Sequence, residues 1–304
     1  MALPAVLAVG VAGFLCLALG GIVARKDVAA AYGLDKLTAL ACVFFAAPLA
    51  AFGVEHLTDA GDIAQLIPSW MPARLFWAYF VGVALIAAAL SLSLKRYLRL
   101  TGTLLALMFY LFVAMMHIPG VVASPRDRFS WAIALRDLTF GSGALALAGA
   151  MTPRSPSGRD NTLVTIARVF IGVALMVFGV EHFLHPGFAP GVPLSKVTPA
   201  WVPLPHLWAY FAGTVLLLAG VGILINRYTR EAALWAGLLA VLLTLFLYLP
   251  ILAMARTATE ILVGINYVFD TLLFAGALLL LAMATSRNGR LSPLSKTLKD
   301  IHQD

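Results

Sequence analysis

The sequence predicts an all-α polytopic membrane protein with one leading helix and two tandem four-helix bundles, about nine transmembrane helices in all. The prediction rests on composition, on nine long apolar runs and on a duplicated order of residues. The chain is 62% hydrophobic and only 12% charged, whereas soluble domains are about 45–50% apolar and about 25% charged. A chain of this composition needs the lipid bilayer as its solvent.

The nine apolar runs are read as spans because a membrane-spanning helix needs about 20 mostly apolar residues. Their approximate bounds are 3–24, 37–56, 76–94, 100–118, 130–150, 163–184, 207–225, 232–253 and 262–284. The first run lacks the basic start of a secretory signal peptide, since Arg25 and Lys26 follow it. It is therefore predicted to be a leading membrane helix.

The distribution of Lys and Arg predicts the orientation of these spans. If the N-terminus lies outside, 15 of the 21 Lys and Arg residues fall on the inner side and 6 on the outer side. Inner loops carry the excess of cations in membrane proteins, so we expect an outer N-terminus and an inner C-terminus. The net charge of +7 is then explained by Lys and Arg residues that cluster in the short loops between the apolar runs. Since no basic patch alternates with base-stacking aromatics, no nucleic-acid partner is expected.

Two similar halves follow the leading helix. The segment FGVEH ends an apolar run at 52–56 and again at 178–182, a shift of 126 residues. At a shift of 131 the segment WAYF at 77–80 recurs at 208–211, and at a shift of 133 Asp137 matches Asp270. The predicted units are the leading helix and inner loop 1–36, the first repeat 37–150, the linker 151–162, the second repeat 163–286 and a basic cytoplasmic tail 287–304. Each predicted repeat has four helices, and an even number of spans returns the chain to the side of the membrane where it started. Both copies are therefore expected to begin on the same side of the membrane.

Ionisable residues near the predicted outer side are the candidates for a ligand-binding site. A carboxylate inside the bilayer costs about 2.5–3.5 kcal/mol on insertion scales, so such residues are functional candidates. The candidates are Glu55, His56, His117, Asp137, Glu181, His182 and Asp270. We expect the four carboxylates to share one layer. Tyr248 stands where the first half has His117, a difference that fits one asymmetric site and fits neutral drift equally well.

The chain resembles the DoxX-like (DoxX/DoxD) family of bacterial integral membrane proteins over roughly residues 37–150 and 163–284. The family unit has four helices, the first of which ends in Gly-x-x-His, as at 53–56 and 179–182. A Pro-rich loop follows, here with Pro68, Trp70 and Pro72 and, in the second half, Pro199, Trp201 and Pro203. The resemblance implies a location in the bacterial cytoplasmic (inner) membrane and a link to quinone-coupled oxidation of sulfur compounds. It assigns no reaction, because most members have none established.

Three hypotheses remain for the polar layer. The first is a Glu/His/Asp pocket near the outer face that binds a quinone or another small ligand for a membrane oxidoreductase system, with a redox partner protein. Imidazole suits proton exchange in such a pocket. The second is a metal site, which is not predicted because no spacing such as HExxH occurs. The third is a non-enzymatic scaffold or assembly factor, in which the acids pair with His, Arg136 or Arg74 and only hold helices together.

Overall fold

The computed structural model describes residues 1–152, 161–191 and 196–285. Within these residues the chain is 81% helical and has no β-strand, which confirms the predicted all-α class. The linker predicted at 151–162 lies largely outside the described residues, and the tail predicted at 287–304 lies wholly outside them.

Thirteen α-helices and two π-helical segments make up the described chain. In order they are α1 (Leu3–Ala30), α2 (Asp35–Ala39), α3 (Ala41–Thr58), α4 (Ala60–Leu66), α5 (Arg74–Ser93), α6 (Leu98–Phe112), the first π segment (Val113–His117), α7 (Ile118–Ala123), α8 (Arg128–Ala150), α9 (Thr162–Leu184), α10 (Pro205–Leu224), α11 (Thr229–Leu243), the second π segment (Thr244–Tyr248), α12 (Leu249–Ala253) and α13 (Ala258–Ala284).

Eight helical stretches of the described chain are long and apolar enough to cross a membrane, so the protein is a polytopic membrane protein. They correspond to eight of the nine predicted spans. The ninth, 130–150, is α8, which has 23 residues but is less apolar because it carries Arg136 and Asp137. More than half of its residues are buried. Protein rather than lipid therefore surrounds the polar residues of α8.

Helices α8 and α13 pack against each other at the centre of the bundle. Within the first half, α3 packs on α5 and α6 on α8; within the second half, α9 packs on α10 and α11 on α13. Between the halves, α8 packs on α9 and α13 packs on α3. The last helix of each half thus contacts the first helix of the other.

Glycines allow the central helices to approach closely. A Cβ atom added at Gly143 of α8 would lie 2.5 Å from the Cα of Ala277 in α13. A Cβ added at Gly276 of α13 would lie 2.7 Å from the backbone nitrogen of Phe45 in α3. Small residues at helix contacts are typical of bilayer proteins, where close packing replaces the hydrophobic effect as the driving force.

Helix α1 lies in the junction between α3 and α13. Gly10 lies against Ile265 and Gly13 against the ring of Phe269, both in α13, while Gly20 contacts Val43 of α3. At the far end of α1, Asp27 forms an ion pair with Lys95. The leading helix is therefore packed into the bundle along its length.

Each π segment ends two residues before a proline. Pro119 follows the segment that ends at His117, and Pro250 follows the one that ends at Tyr248. Proline lacks an amide hydrogen and its ring clashes with the carbonyl four residues before it, so the preceding turn widens. The two π segments end at His117 and at Tyr248, which are 131 residues apart in the chain.

Candidate functional site

The Glu and His of each FGVEH segment point in different directions. Neighbouring residues on a helix diverge by about 100°, since there are about 3.6 residues per turn. Nδ1 of His56 donates to the carbonyl oxygen of Phe52 at 2.7 Å, and Nδ1 of His182 donates to that of Phe178 at 2.6 Å. Both imidazoles therefore bond back to their own helix, and neither contacts the glutamate beside it.

His182 has a further role that fixes the loop after α9. Its Nε2 accepts a hydrogen bond from the backbone N–H of Gly191 at 2.9 Å, and the residue is 2% exposed. With Nδ1 donating and Nε2 accepting, the ring is the neutral Nδ1–H tautomer. Both nitrogens are used in structural contacts.

The two buried aspartates do meet, with Arg136 between them. Nη1 of Arg136 donates to Oδ2 of Asp270 at 2.6 Å, and Nε of Arg136 lies 3.7 Å from Oδ1 of Asp137. Nε2 of His117 lies 2.8 Å from Oδ2 of Asp137. Arg136 is thus the pairing partner of both aspartates, whereas Arg74, the other cation suggested by the sequence, is exposed at the start of α5.

Glu55 joins this group through an amide that the sequence analysis missed. Nδ2 of Asn266 donates to Oε1 of Glu55 at 3.2 Å, which links α13 to α3. The signal for Asn266 was its position one turn before Asp270 on the same helical face. We call these residues the central polar cluster: Glu55, His117, Arg136, Asp137, Asn266 and Asp270. Two buried atoms in it have no hydrogen-bond partner, Nε of Arg136 and Oδ1 of Asn266.

Glu181 lies in a separate place, a groove between α8 and α9. This α8–α9 groove has a volume of about 340 Å³. Its lining consists of Pro125, Arg126, Arg128, Trp131, Ala132, Leu135, Val177, Phe178, Glu181 and His185. Of the seven predicted site residues, only Glu181 lines it.

Charged groups gather at one end of the groove. Nε of Arg128 donates to Oε2 of Glu181 at 2.5 Å, and Nε2 of His185 lies 3.8 Å from the same oxygen. The guanidinium of Arg128 also lies 4.4 Å from the ring centre of Phe188. Neither Arg128 nor His185 is among the predicted site residues, although the position of His185 four residues after Glu181 was a signal for it.

The corresponding junction in the other half is filled. At the shift of 126 residues Glu181 corresponds to Glu55, and at the shift of 133 residues the groove residue Ala132 corresponds to Ile265. Gly10 of α1 lies against Ile265, at 3.1 Å from an added Cβ. Helix α1 therefore occupies the α3–α13 junction, whereas the α8–α9 junction remains an open groove.

Tyr248 also departs from its counterpart His117. Its hydroxyl donates to the carbonyl oxygen of Pro190 at 2.8 Å, and the side chain is fully buried. It thus holds the loop after α9 instead of pairing with a carboxylate. Among the described residues, no group of three or more His, Cys, Asp or Glu side chains is arranged to hold a metal ion.

The fold and these two polar sites define a helical, polytopic membrane protein with charged groups inside the bundle. Residues 163–249 match the model of the DoxX family, so this part of the chain carries a DoxX domain. Residues 45–133 match a domain of unknown function, DUF8561. The comparisons with curated proteins and with solved structures gave no match.

Proposed function

We propose that this DoxX-like protein binds a small amphipathic molecule in the α8–α9 groove, with a quinone as the first candidate. The observation that carries the proposal is the groove itself, whose volume is about 340 Å³. Ligand sites are clefts of about 300–1,000 Å³ with mostly apolar walls and a few placed polar groups. The groove combines such walls with two arginines, a carboxylate and an imidazole.

The residues that line the groove are suited to a ligand whose ring has polar atoms along one edge. Trp131, Leu135 and Val177 offer apolar surface, and Trp131 is oriented by a 2.9 Å hydrogen bond from its Nε1 to the carbonyl oxygen of Pro125. The imidazole of His185 is suited to exchange a proton with a ligand oxygen. A bound quinone would supply the redox chemistry, and electrons would pass to or from a partner protein of a membrane oxidoreductase system.

The proposal includes two tandem units and a defined orientation. Matched backbone features support the two units, since the left-handed conformations of Ala73 and Lys95 recur at Leu204 and Asn226, a shift of 131 residues. The balance of cations supports an outer N-terminus and an inner C-terminus in a bacterial cytoplasmic membrane. In this orientation the groove and the ends of α3 and α9 lie on the outer side.

Ligand content of the purified protein tests the proposal. Lipid extracts of the wild type, purified in mild detergent, are expected to contain a stoichiometric quinone or other small amphiphile detectable by mass spectrometry. Val177→Trp, which fills the groove, should lose it. Val180→Trp is the matched control, because Val180 is exposed on the same helix but does not line the groove. Equal ligand content in the two variants, or none in the wild type, would contradict the proposal.

A scaffold function is the second candidate, and the contact between Arg136 and Asp270 favours it. This contact joins residues of the two halves across the centre of the bundle. In a scaffold the polar groups only position helices, and the surface of the bundle holds other proteins. Such a protein carries no specific ligand, so the same extraction experiment distinguishes the two candidates.

A further inference from the structure

Glu55 is the carboxyl group of the central polar cluster that has no cationic partner. Asp270 accepts from Arg136 at 2.6 Å, and Asp137 lies 2.8 Å from His117. Each aspartate thus has a group that is or can become a cation. Among the described residues no Lys, Arg or His nitrogen lies within 4.0 Å of the Glu55 carboxyl. Its one described side-chain partner is the neutral amide of Asn266.

No described cation of the helices that pack on α3 lies within 4.0 Å of Glu55; α5 carries only the exposed Arg74, and α4 carries only the acid Asp62. Helix α13 presents Asn266 and Asp270, and α8 presents Arg136 and Asp137, which are already paired. Helix α1 has no Asp, Glu, Lys, Arg or His between Leu3 and Ala24. Directly after the end of α3, Asp59 follows Glu55 by one turn and adds negative charge. An ionised Glu55 would thus face further carboxylates inside the bundle, where unpaired charge is costly.

The unpaired oxygen of Asn266 points to how this charge is avoided. Oδ1 of Asn266 is buried and has no hydrogen-bond donor, while Nδ2 of the same amide already donates to Glu55. A carboxylate has no hydrogen to offer, whereas a carboxylic acid has one O–H. We propose that Glu55 is a proton-binding site, in which the neutral acid donates to Oδ1 of Asn266 and accepts from its Nδ2. Loss of this proton, to water at the helix end, leaves a carboxylate and again an unpaired amide oxygen.

The matching residue of the second half has the opposite environment. Glu181 accepts from Arg128 at 2.5 Å, so a guanidinium lies beside its carboxyl group. Of the two FGVEH segments, one thus has a glutamate without a described cationic partner and the other has a glutamate with one. This inference does not depend on ligand binding in the α8–α9 groove.

Infrared spectroscopy of the protein in lipid vesicles tests the inference. At neutral pH the wild type should show a carboxylic-acid C=O band that shifts in D₂O and disappears as the pH is raised. Glu55→Gln should lose this band, whereas the matched Glu181→Gln should retain it. Asn266→Leu should shift the band, since the acid loses both hydrogen bonds, and this variant gives the answer if Glu55→Gln does not fold. A band unchanged in Glu55→Gln or in Asn266→Leu, or lost in Glu181→Gln, would overturn the proposal.

Discussion

Nη1 of Arg136 donates to Oδ2 of Asp270 at 2.6 Å, although 134 residues separate them in the chain. The two side chains are 21% and 12% exposed, so the contact is largely shielded from solvent. Asp137 lies on the other side of the same guanidinium. The positive charge of Arg136 thus lies beside carboxylates from both central helices. We therefore expect this arginine to help hold α8 and α13 in their relative position.

Replacing Arg136 with Met should destabilise the protein strongly. The change leaves Asp270 without its cation, and removing one partner of a buried ion pair costs about 3–5 kcal/mol. Equilibrium unfolding in mixed detergent micelles measures the loss. A double variant, Arg136→Met with Asp270→Leu, should recover much of the stability, because Asp270 is gone and Asp137 keeps its contact with His117. A single variant as stable as the wild type would show that the pair contributes nothing to the fold.

Replacing Gly143 with Leu should separate the central helices. An added Cβ would already lie 2.5 Å from the Cα of Ala277, so the larger side chain forces α8 away from α13. Overpacking typically costs about 1–3 kcal/mol or more. The matched control is Gly61→Leu, since no heavy atom lies within 4 Å of a Cβ at Gly61. The melting temperature should fall in the first variant and stay near the wild-type value in the second, and equal values would contradict the close contact.

Replacing Tyr248 with Phe should leave a buried carbonyl without its donor. The hydroxyl of Tyr248 is the donor to the Pro190 carbonyl oxygen at 2.8 Å, and losing one partner of a buried hydrogen bond costs about 1–3 kcal/mol. Tyr79→Phe, at an exposed tyrosine, serves as the control and should be neutral. Hydrogen exchange should also rise at Gly191, whose N–H lies in the same loop. Unchanged stability and exchange would argue against this role.

The cap of α8 should give one acid-sensitive contribution to stability. Asp127 accepts hydrogen bonds from the Ser130 hydroxyl, the Ser130 N–H and the Phe129 N–H, which lower the pKa of its carboxyl. A carboxyl whose pKa is lower in the folded state stabilises the fold fully above its unfolded pKa, about 3.9, and loses this effect as pH falls through the folded pKa. Asp127→Asn should keep a capping oxygen but remove the pH dependence below about pH 4. Identical acid unfolding curves for the two proteins would contradict this.

The sequence predicted well what depends on local pattern. Apolar length predicted the helices, and the FGVEH segments correctly marked the ends of α3 and α9. Of the pairings that the scaffold hypothesis names, the structure contains those of Asp137 with His117 and of Asp270 with Arg136. These successes follow because helix length and polar residues within apolar runs are visible in the sequence itself.

The sequence could not show which helix each side chain faces. Glu55 and Glu181 occupy matched positions, yet one contacts Asn266 and the other Arg128, because α13 and α8 differ in the residues they present. Likewise, the sequence does not show which of two similar helix junctions α1 packs into, because tertiary contacts decide between them. The sequence suggested one layer for the four carboxylates; in the structure Glu55, Asp137 and Asp270 belong to the central polar cluster, and Glu181 lies at the groove. His56 and His182 bond to the backbone of their own helices.

Photoaffinity labelling tests the central claim, ligand binding in the α8–α9 groove, most directly. Membranes that contain the protein are irradiated with a photoreactive quinone analogue, and labelled peptides are mapped by mass spectrometry with unlabelled quinone as competitor. We expect competed labelling within 125–135 and 177–185, on the two sides of the groove, and its loss in Val177→Trp. Labelling confined to the α1–α3–α13 junction, or labelling that quinone does not compete, would contradict the account.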